Sequence, residues 1–538
     1  MRGRDLNQPS ELGLIFDKWR PQQEEAISWL GDNPIQVLEA PTGTGKTGVI
    51  LGYAQENPQW RFLILCATKL EQEQYMKIHN SVDTVSVKGK NNFHCGVLTE
   101  GVFDGFVEEE CFRENCTETH IDEAPCQSGL ECEFQGKCSY FVQRDRARNS
   151  RVVITSYPMG LNMLNLTKGL GAFDVIVEDE GHVLDNMLES FLSITISRQV
   201  LKQVFNIDVK NKTNFPYWKK NTFILEQIQS RLGQLESSLE KYSVRSNPPP
   251  TVLVRHIQTA ERYIKNLKRI QALDSFNWLM EDEGGPIKFT PVWTTDESER
   301  VLFGHSKRHI IMSGTIPSPK MLSKKIGLST DNFDFKRLPY VFPVENRRII
   351  LKPSVDLTYK NKQQGLPVLV EETNQILSQY TDRKILIHTV SYEIQKYLMA
   401  NSMFQNQMMG HDSRNRVEVL NRFKESYPMS ILVSPSFDKA VDLPGDECEC
   451  IIICKLPWPN LASPVIQRRM KSDRDWYEHE CLSSLLQMVG RGNRTETDVC
   501  DIYILDKSIK RFLSKVHTNK DFMESIKEGN GQLVNLHI

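Results

Sequence analysis

The run Ile35-Gln36-Val37-Leu38-Glu39 followed by Ala40-Pro41-Thr42-Gly43-Thr44-Gly45-Lys46-Thr47 limits what this chain can become more than any other stretch. Asp32-Asn33-Pro34 breaks the chain before it, so the apolar run reads as a short buried strand entering a glycine loop and then a helix. That order is a phosphate loop. Gly43 and Gly45 let the backbone approach phosphate oxygens, and Thr44 and its neighbours offer successive N–H groups. Lys46 reaches the β/γ-phosphates of ATP and Thr47 coordinates Mg²⁺.

A second strand, Phe173-Asp174-Val175-Ile176-Val177-Glu178, delivers Asp179-Glu180-Gly181-His182 to its carboxyl end, where open α/β sheets bind ligands. An acidic pair after a strand is common in surface turns; joined to a phosphate loop it becomes specific. Asp179 is expected to hold Mg²⁺ through water, and Glu180 to orient and deprotonate the attacking water. Far downstream, Gln487, Arg491 and Arg494 are spaced by four and three residues, which predicts one face of a helix. Alone this is an ordinary solvated cationic surface. Offered from a second domain, a guanidinium stabilises γ-phosphate charge, worth roughly 10³–10⁵ in rate in arginine-finger systems.

Between the loop and the acidic pair fall six of the twelve cysteines, from Cys95 to Cys138. The amino-terminal Met1-Arg2-Gly3-Arg4-Asp5-Leu6 has no apolar signal core, and no stretch approaches the roughly 18 apolar residues that span a bilayer. A soluble, intracellular, cytoplasmic chain without membrane contact is expected, in a prokaryotic or viral-host setting, where clustered cysteines are more often metal ligands than disulfides. With 538 residues the chain is multidomain, and a net charge of -2 leaves any grip on nucleic acid to local patches.

Together these ordered signatures resemble superfamily 2 helicases, more narrowly the XPD/DinG group of iron–sulfur helicases, over most of the chain. Arg20-Pro21-Gln22-Gln23 looks like the adenine-reading segment, which gives Gln23 the base contact. Ala67-Thr68-Lys69-Leu70 looks like the segment on the strand backbone, and Ser313-Gly314-Thr315-Ile316 is similar to the element linking the nucleotide site to DNA. Phe342-Pro343-Val344-Glu345-Asn346-Arg347 resembles the opening of the second motor domain, and Lys384 to Tyr392 a strand leading into a loop. The segment Asp438-Lys439-Ala440-Val441-Asp442-Leu443-Pro444-Gly445 matches at Asp442 and Gly445 only; the family's Glu-Gly before the aspartate is missing.

Lys88 to Cys95 resembles the family's approach to its cluster domain and Cys138-Ser139-Tyr140-Phe141 its exit, with Cys126, Cys132 and Cys138 evenly spaced. The resemblance assigns Cys95, Cys126, Cys132 and Cys138 to a [4Fe–4S] cluster, with Cys111 and Cys116 as competitors. Zinc sites pair cysteines two to four residues apart, and only Cys111/Cys116 come close. The other six, Cys66, Cys448, Cys450, Cys454, Cys481 and Cys500, read as ordinary buried residues. Gly89 to Cys138 carries three basic residues against eleven acidic ones, while Arg144, Arg146, Arg148 and Arg151 follow. With Tyr140 and Phe141 that stretch suits either a single strand or a solvated helix.

Beyond the acidic pair, Leu225, Ile228, Leu232, Leu235 and Leu239 step by three and four, as do Leu253, Ile257, Ala260, Ile264 and Leu267 after Pro248-Pro249-Pro250. These predict two amphipathic helices folded on each other, with 13 basic and 6 acidic residues from Val200 to Ser275. The expected architecture is α/β: two RecA-like P-loop motor domains, the first interrupted by a 4Fe-4S cluster domain and a helical arch. Its boundaries are 1–88, 141–190 and 286–337 for the first motor, 89–140 for the cluster domain, 191–285 for the arch and 338–538 for the second motor. The resemblance implies a monomeric 5′→3′ DNA helicase on single-stranded and forked DNA; the alternatives are a nucleic-acid-dependent ATPase clamp without unwinding, or an RNA helicase.

Overall fold

The computed structural model describes residues 6–31, 33–41, 43–79, 81–93, 95, 124–132, 136–165, 169–210, 212–243, 247, 249–329, 333–412, 414–427, 429–435, 443, 445–492, 497–518 and 520–528. Runs such as Phe62-Leu63-Ile64-Leu65-Cys66 are apolar at every position because both sides of the strand are covered. Leu63 and Leu65 enter one core and Phe62, Ile64 and Cys66 the other, the period-two signature of a sheet packed between two helical layers. The first sheet is parallel throughout, in the order Phe333–Arg337, Ile35–Glu39, Arg308–Ser313, Val175–Asp179, Phe62–Cys66, Val152–Ser156, Thr84–Val87.

Register decides where its carboxyl ends meet. Glu39 pairs with Ser313 and Asp179 with Met312, so the phosphate loop, the Ser313 element and the acidic pair start from one edge. The chain then crosses to a second parallel sheet, ordered Met408–Gly410, Ile431–Ser434, Ile385–His388, Cys450–Ile453, Cys500–Asp506, Arg347–Val355, Ile526–Glu528. Ile385 and Ile387 point into one of its cores and Leu386 into the other.

The helices Thr222–Leu239 and Thr251–Ala272 pack against each other. Their near ends share a core with Leu188 and Leu192 through Ile228, Ala260 and Leu267. Their far ends, at Leu235, Leu239 and Ile257, cover Leu130 beside the cysteines. Sequence periodicity shows only helices here, yet Ile194–Ile196, Ile287–Pro291 and Trp278–Glu281 form an antiparallel sheet. Ile194 pairs with Phe289, too distant in sequence for a local pattern to reveal. No helix among the described residues is long and apolar enough to cross a membrane.

Candidate active site

Gly43 and Gly45 have φ of 87° and 78°, the left-handed region that side chains rarely adopt, and Gly45 caps the helix Lys46–Glu56. Unsatisfied N–H groups at that helix start make an anion site. The Phe342 ring lies over Gly43 so closely that a Cβ there would stand 2.0 Å from it. Gln23, buried on the helix Pro21–Trp29, accepts from the Arg20 N–H at 3.0 Å and donates to the Gly45 carbonyl at 3.2 Å. It therefore braces the phosphate loop.

Asp179 ends a wholly buried strand. Tyr75 Oη donates to its Oδ2 at 2.9 Å, and the Glu180 N–H donates to its Oδ1 at 2.8 Å. Tyr157 Oη holds the Asp179 carbonyl at 2.8 Å, and the chain then turns with Glu180 at φ 52°. Glu180 faces Lys46 Nζ at 3.6 Å and His182 Nδ1 at 3.2 Å. Burial, then the Glu180 charge, pushes the Asp179 carboxyl up. Burial works against Glu180 as well, but Lys46, His182 and Arg491 outweigh it and hold this carboxyl well below its usual range. The two titrations are thus driven apart, Asp179 up to about 6 and Glu180 downward. A third carboxylate, Glu71, is pushed up to about 8 by burial and by Asp179 and Glu180.

The second sheet domain reaches this group through the last turn of the helix Arg474–Val489. Gln487 Nε2 donates to Thr315 Oγ1 at 2.6 Å and lies 3.5 Å from His182 Nδ1, which is 3.0 Å from Ser313 Oγ. Arg491 Nη2 donates to Gln487 Oε1 at 3.3 Å. The expected single helical face is not formed: the helix stops at Val489, and Arg491 follows in a turn. Gly490 caps the helix, and two residues on Gly492 packs on the next strand, where a Cβ would be 2.2 Å from Cys500 Sγ. Lys46, Glu71, Glu180, His182, Gln487 and Arg491 line a cleft of ≈ 320 Å³, within the size range of small-molecule sites. Arg494 and Asp442 lie outside the described residues.

Two family models match, a helicase C-terminal domain over residues 374–529 and the res subunit of type III restriction enzymes over 16–215. The ATP-dependent DNA helicase YoaA of Escherichia coli strain K12 is 21% identical, over 86% of this chain and 88% of that protein. A probable ATP-dependent helicase of Methanocaldococcus jannaschii is 26% identical over 49% of this chain and 43% of its own length. The ATP-dependent DNA helicase CHL1 of Eremothecium gossypii is 20% identical over 69% of this chain and 57% of that protein. The chain thus spans less than two thirds of the latter two relatives. A solved XPD helicase superposes with a TM-score of 0.59 at 16% identity, covering 95% of this chain and all of that one, and Xpd4 of S. tokodaii with 0.58. The chain is thus similar to ATP-dependent helicases in sequence and to XPD in fold.

A second contact joins the two sheet domains. Lys325 Nζ, buried, meets Asp185 at 3.1 Å and Glu480 at 2.5 Å. Arg469, 1% exposed, meets Glu189 at 2.7 Å and packs beside the mutually touching Trp293 and Trp476 rings, 5.3 and 5.4 Å from their centroids. Asp185 and Glu189 sit on the helix Leu184–Leu192 that follows the acidic pair; Glu480 sits on the helix that carries Gln487.

Cys95, Cys126 and Cys138 meet in one small nucleus with Ala124, Tyr140, Phe93 and Phe141. Burial, then the neighbouring Cys132, raises both the Cys126 and Cys138 thiols. All four are free thiols; Gln127 Nε2 donates to Cys126 Sγ at 3.2 Å, and the Tyr140 and Phe141 N–H groups favour a Cys138 thiolate. This soft, donor-supported set suits a thiolate-bound cluster chemically. Among the described residues, however, no three His, Cys, Asp or Glu side chains stand close enough together to hold a metal ion. Cys111 and Cys116 lie outside the described residues, and the six remaining cysteines are buried.

The basic stretch after Cys138 differs from expectation. Arg151 is consumed by Asp83 at 3.0 Å and by the Ala54 carbonyl at 2.6 Å, and Arg148 pairs with Asp145. Tyr140 is buried against Phe93 and Phe141, so its ring is closed to a base. Sequence reasoning also missed Glu71, Tyr75 and Tyr157. Thr68-Lys69-Leu70-Glu71 has the capping-box pattern, and this would have placed Glu71: its Oε2 accepts the Ala67 and Thr68 N–H groups at 2.8 and 3.1 Å.

Proposed function

We propose that this chain is an ATP-dependent DNA helicase that moves 5′→3′ on single-stranded DNA and separates duplex beside its cysteine region. The observation that carries the reading is the convergence of Lys46, Glu180 and His182 from one sheet domain with Gln487 and Arg491 from the other in a single cleft. ATP binds there with its phosphates on the loop Gly43 to Thr47, and Gln23 lies next to the base. Thr47 and Asp179 are the residues that would hold Mg²⁺, which when bound neutralises phosphate charge. Glu180, ionised by Lys46, accepts the proton of the attacking water, while Lys46 and Arg491, with Arg494, compensate charge on the transferring phosphoryl. Because Gln487 bonds Thr315 across the cleft, closure around ATP and reopening after hydrolysis alternate the grip of the two domains on the strand.

Cys95, Cys126, Cys132 and Cys138 are the residues that would hold a [4Fe–4S] cluster, whose contribution is to fix the fold of this region. The nucleus shared by Cys95, Cys126 and Cys138 and the backbone N–H groups that favour a Cys138 thiolate support it. Related DNA helicases by name support DNA as the substrate. The test is phosphate release with matched DNA or RNA strands, together with strand displacement on forked and tailed duplexes. Stimulation by DNA and displacement only from 5′ tails is expected; hydrolysis without displacement would replace the helicase reading with a clamp. Anaerobic purification with iron, sulfide and zinc analysis tests the cluster, and zinc without iron would reject it.

A further inference from the structure

The helix Lys69–Ile78 touches more of the machinery than its length suggests. It begins in the segment Ala67 to Leu70, where Lys69 and Leu70 are exposed. Lys69 Nζ donates to Asn92 Oδ1, on the turn that leads to Cys95. Two residues further Glu71 folds back on the helix start and lines the nucleotide cleft. One turn on, Tyr75, wholly buried, places its hydroxyl 2.9 Å from Asp179 Oδ2. Asp179 is also held by the Glu180 N–H on Oδ1 and by Tyr157 on its backbone carbonyl. Tyr75 supplies the side-chain hydrogen bond that arrives from another element, and that element begins at the outer face.

We propose that Tyr75 is a positioning residue that couples strand binding at the start of this helix to the orientation of the Asp179 carboxylate, and so to DNA stimulation of ATP hydrolysis. The inference rests on the helicase reading above. The geometry supplies the lever: the α-helix is stiff, and a phenol fixed in a close-packed core transmits small shifts without absorbing them. Buried hydrogen bonds to charged groups weigh enough to be read in a rate, since each factor of ten corresponds to about 1.4 kcal/mol.

The test is Tyr75→Phe in the full chain, which keeps the ring and removes only the hydroxyl. Steady-state hydrolysis is measured with and without a single-stranded oligonucleotide, and Mg²⁺-dependent binding of a fluorescent ATP analogue is titrated in both conditions. The variant is expected to lose roughly tenfold in DNA-stimulated kcat, with the KM for ATP held within about twofold. The wild type should bind the analogue at lower Mg²⁺ when DNA is present, and the variant should lose that shift. Lys69→Ala, at the exposed helix start, serves as a second variant that leaves the core intact and should lose part of the stimulation. If the wild type is stimulated by DNA and Tyr75→Phe is stimulated equally, with an unchanged Mg²⁺ shift, this inference is overturned alone. If the wild type itself shows no stimulation, the helicase reading falls and takes the inference with it.

Discussion

Between the two sheet domains, the nucleotide cleft and the Lys325–Arg469 contact differ most in how much water they keep. In the cleft the Lys46 and Glu180 side chains are 17% and 24% exposed and stand 3.6 Å apart, and the Gln487–Thr315 hydrogen bond crosses between domains. At the other contact Lys325, Arg469 and Asp185 are nearly dry and flanked by two tryptophans. A hydrated polar contact exchanges with water at small net cost, whereas separating buried charges leaves each uncompensated. The cleft contact should therefore separate at less cost than the ionic contact.

The sharpest way to break this contrast is to injure each side separately. Glu180→Gln should lower ATP hydrolysis by roughly 10²–10⁴-fold, the usual contribution of a general base, and leave the urea unfolding midpoint unchanged. Lys325→Met should do the reverse in kind. It strands Asp185 and Glu480 and should cost about 3–5 kcal/mol in urea unfolding. Adding Asp185→Leu and Glu480→Met should return part of that loss, because it removes both stranded carboxylates while Arg469 keeps Glu189. If Lys325→Met leaves unfolding unmoved while Glu180→Gln shifts it, the assignment of roles is wrong.

Acid probes the cleft side of the second domain. His388 is fully buried, neither ring nitrogen has a partner among the described residues, and burial, then Arg491, pushes it down to about 3. Because the folded value lies below the unfolded one near 6.5, the stability is intact above that pH. It is lost as the unfolded chain takes up the proton that the folded chain refuses. Between pH 6.5 and 5 the loss should be about 2 kcal/mol, and His388→Phe should remove this pH dependence from the unfolding curve. The smallest effect is expected for Gln487→Ala, about 1 kcal/mol or some fivefold in kcat, with unfolding unaffected.

How readable each side was follows from how its residues are spread along the chain. Lys46, Asp179 and Glu180 stand in contiguous runs whose chemistry demands neighbours, so loop and acidic pair were legible, as were the buried parallel strands that carry them. Asp185, Lys325, Arg469 and Glu480 come from four separate helices and look, one by one, like ordinary surface charges. Only the fold makes them a network. Tyr75 and His388 were invisible for the same reason, since a tyrosine on an apolar face and a histidine ending a strand read as packing. The end of the helix at Val489 was misjudged because spacing alone cannot show that Gly490 caps it and Gly492 packs on Cys500.

Strand order has a further consequence for how the molecule is made. Arg308–Ser313 lies between Ile35–Glu39 and Val175–Asp179, so the phosphate loop and the acidic pair have no shared sheet until that strand emerges from the ribosome. Synthesis runs from the amino terminus at roughly 5–20 residues per second, and the cysteine region and both long helices are complete before the gap is filled. A nascent chain ending before Arg308 therefore has no assembled nucleotide site, and newly made protein cannot begin to consume ATP until its insertions have had time to fold.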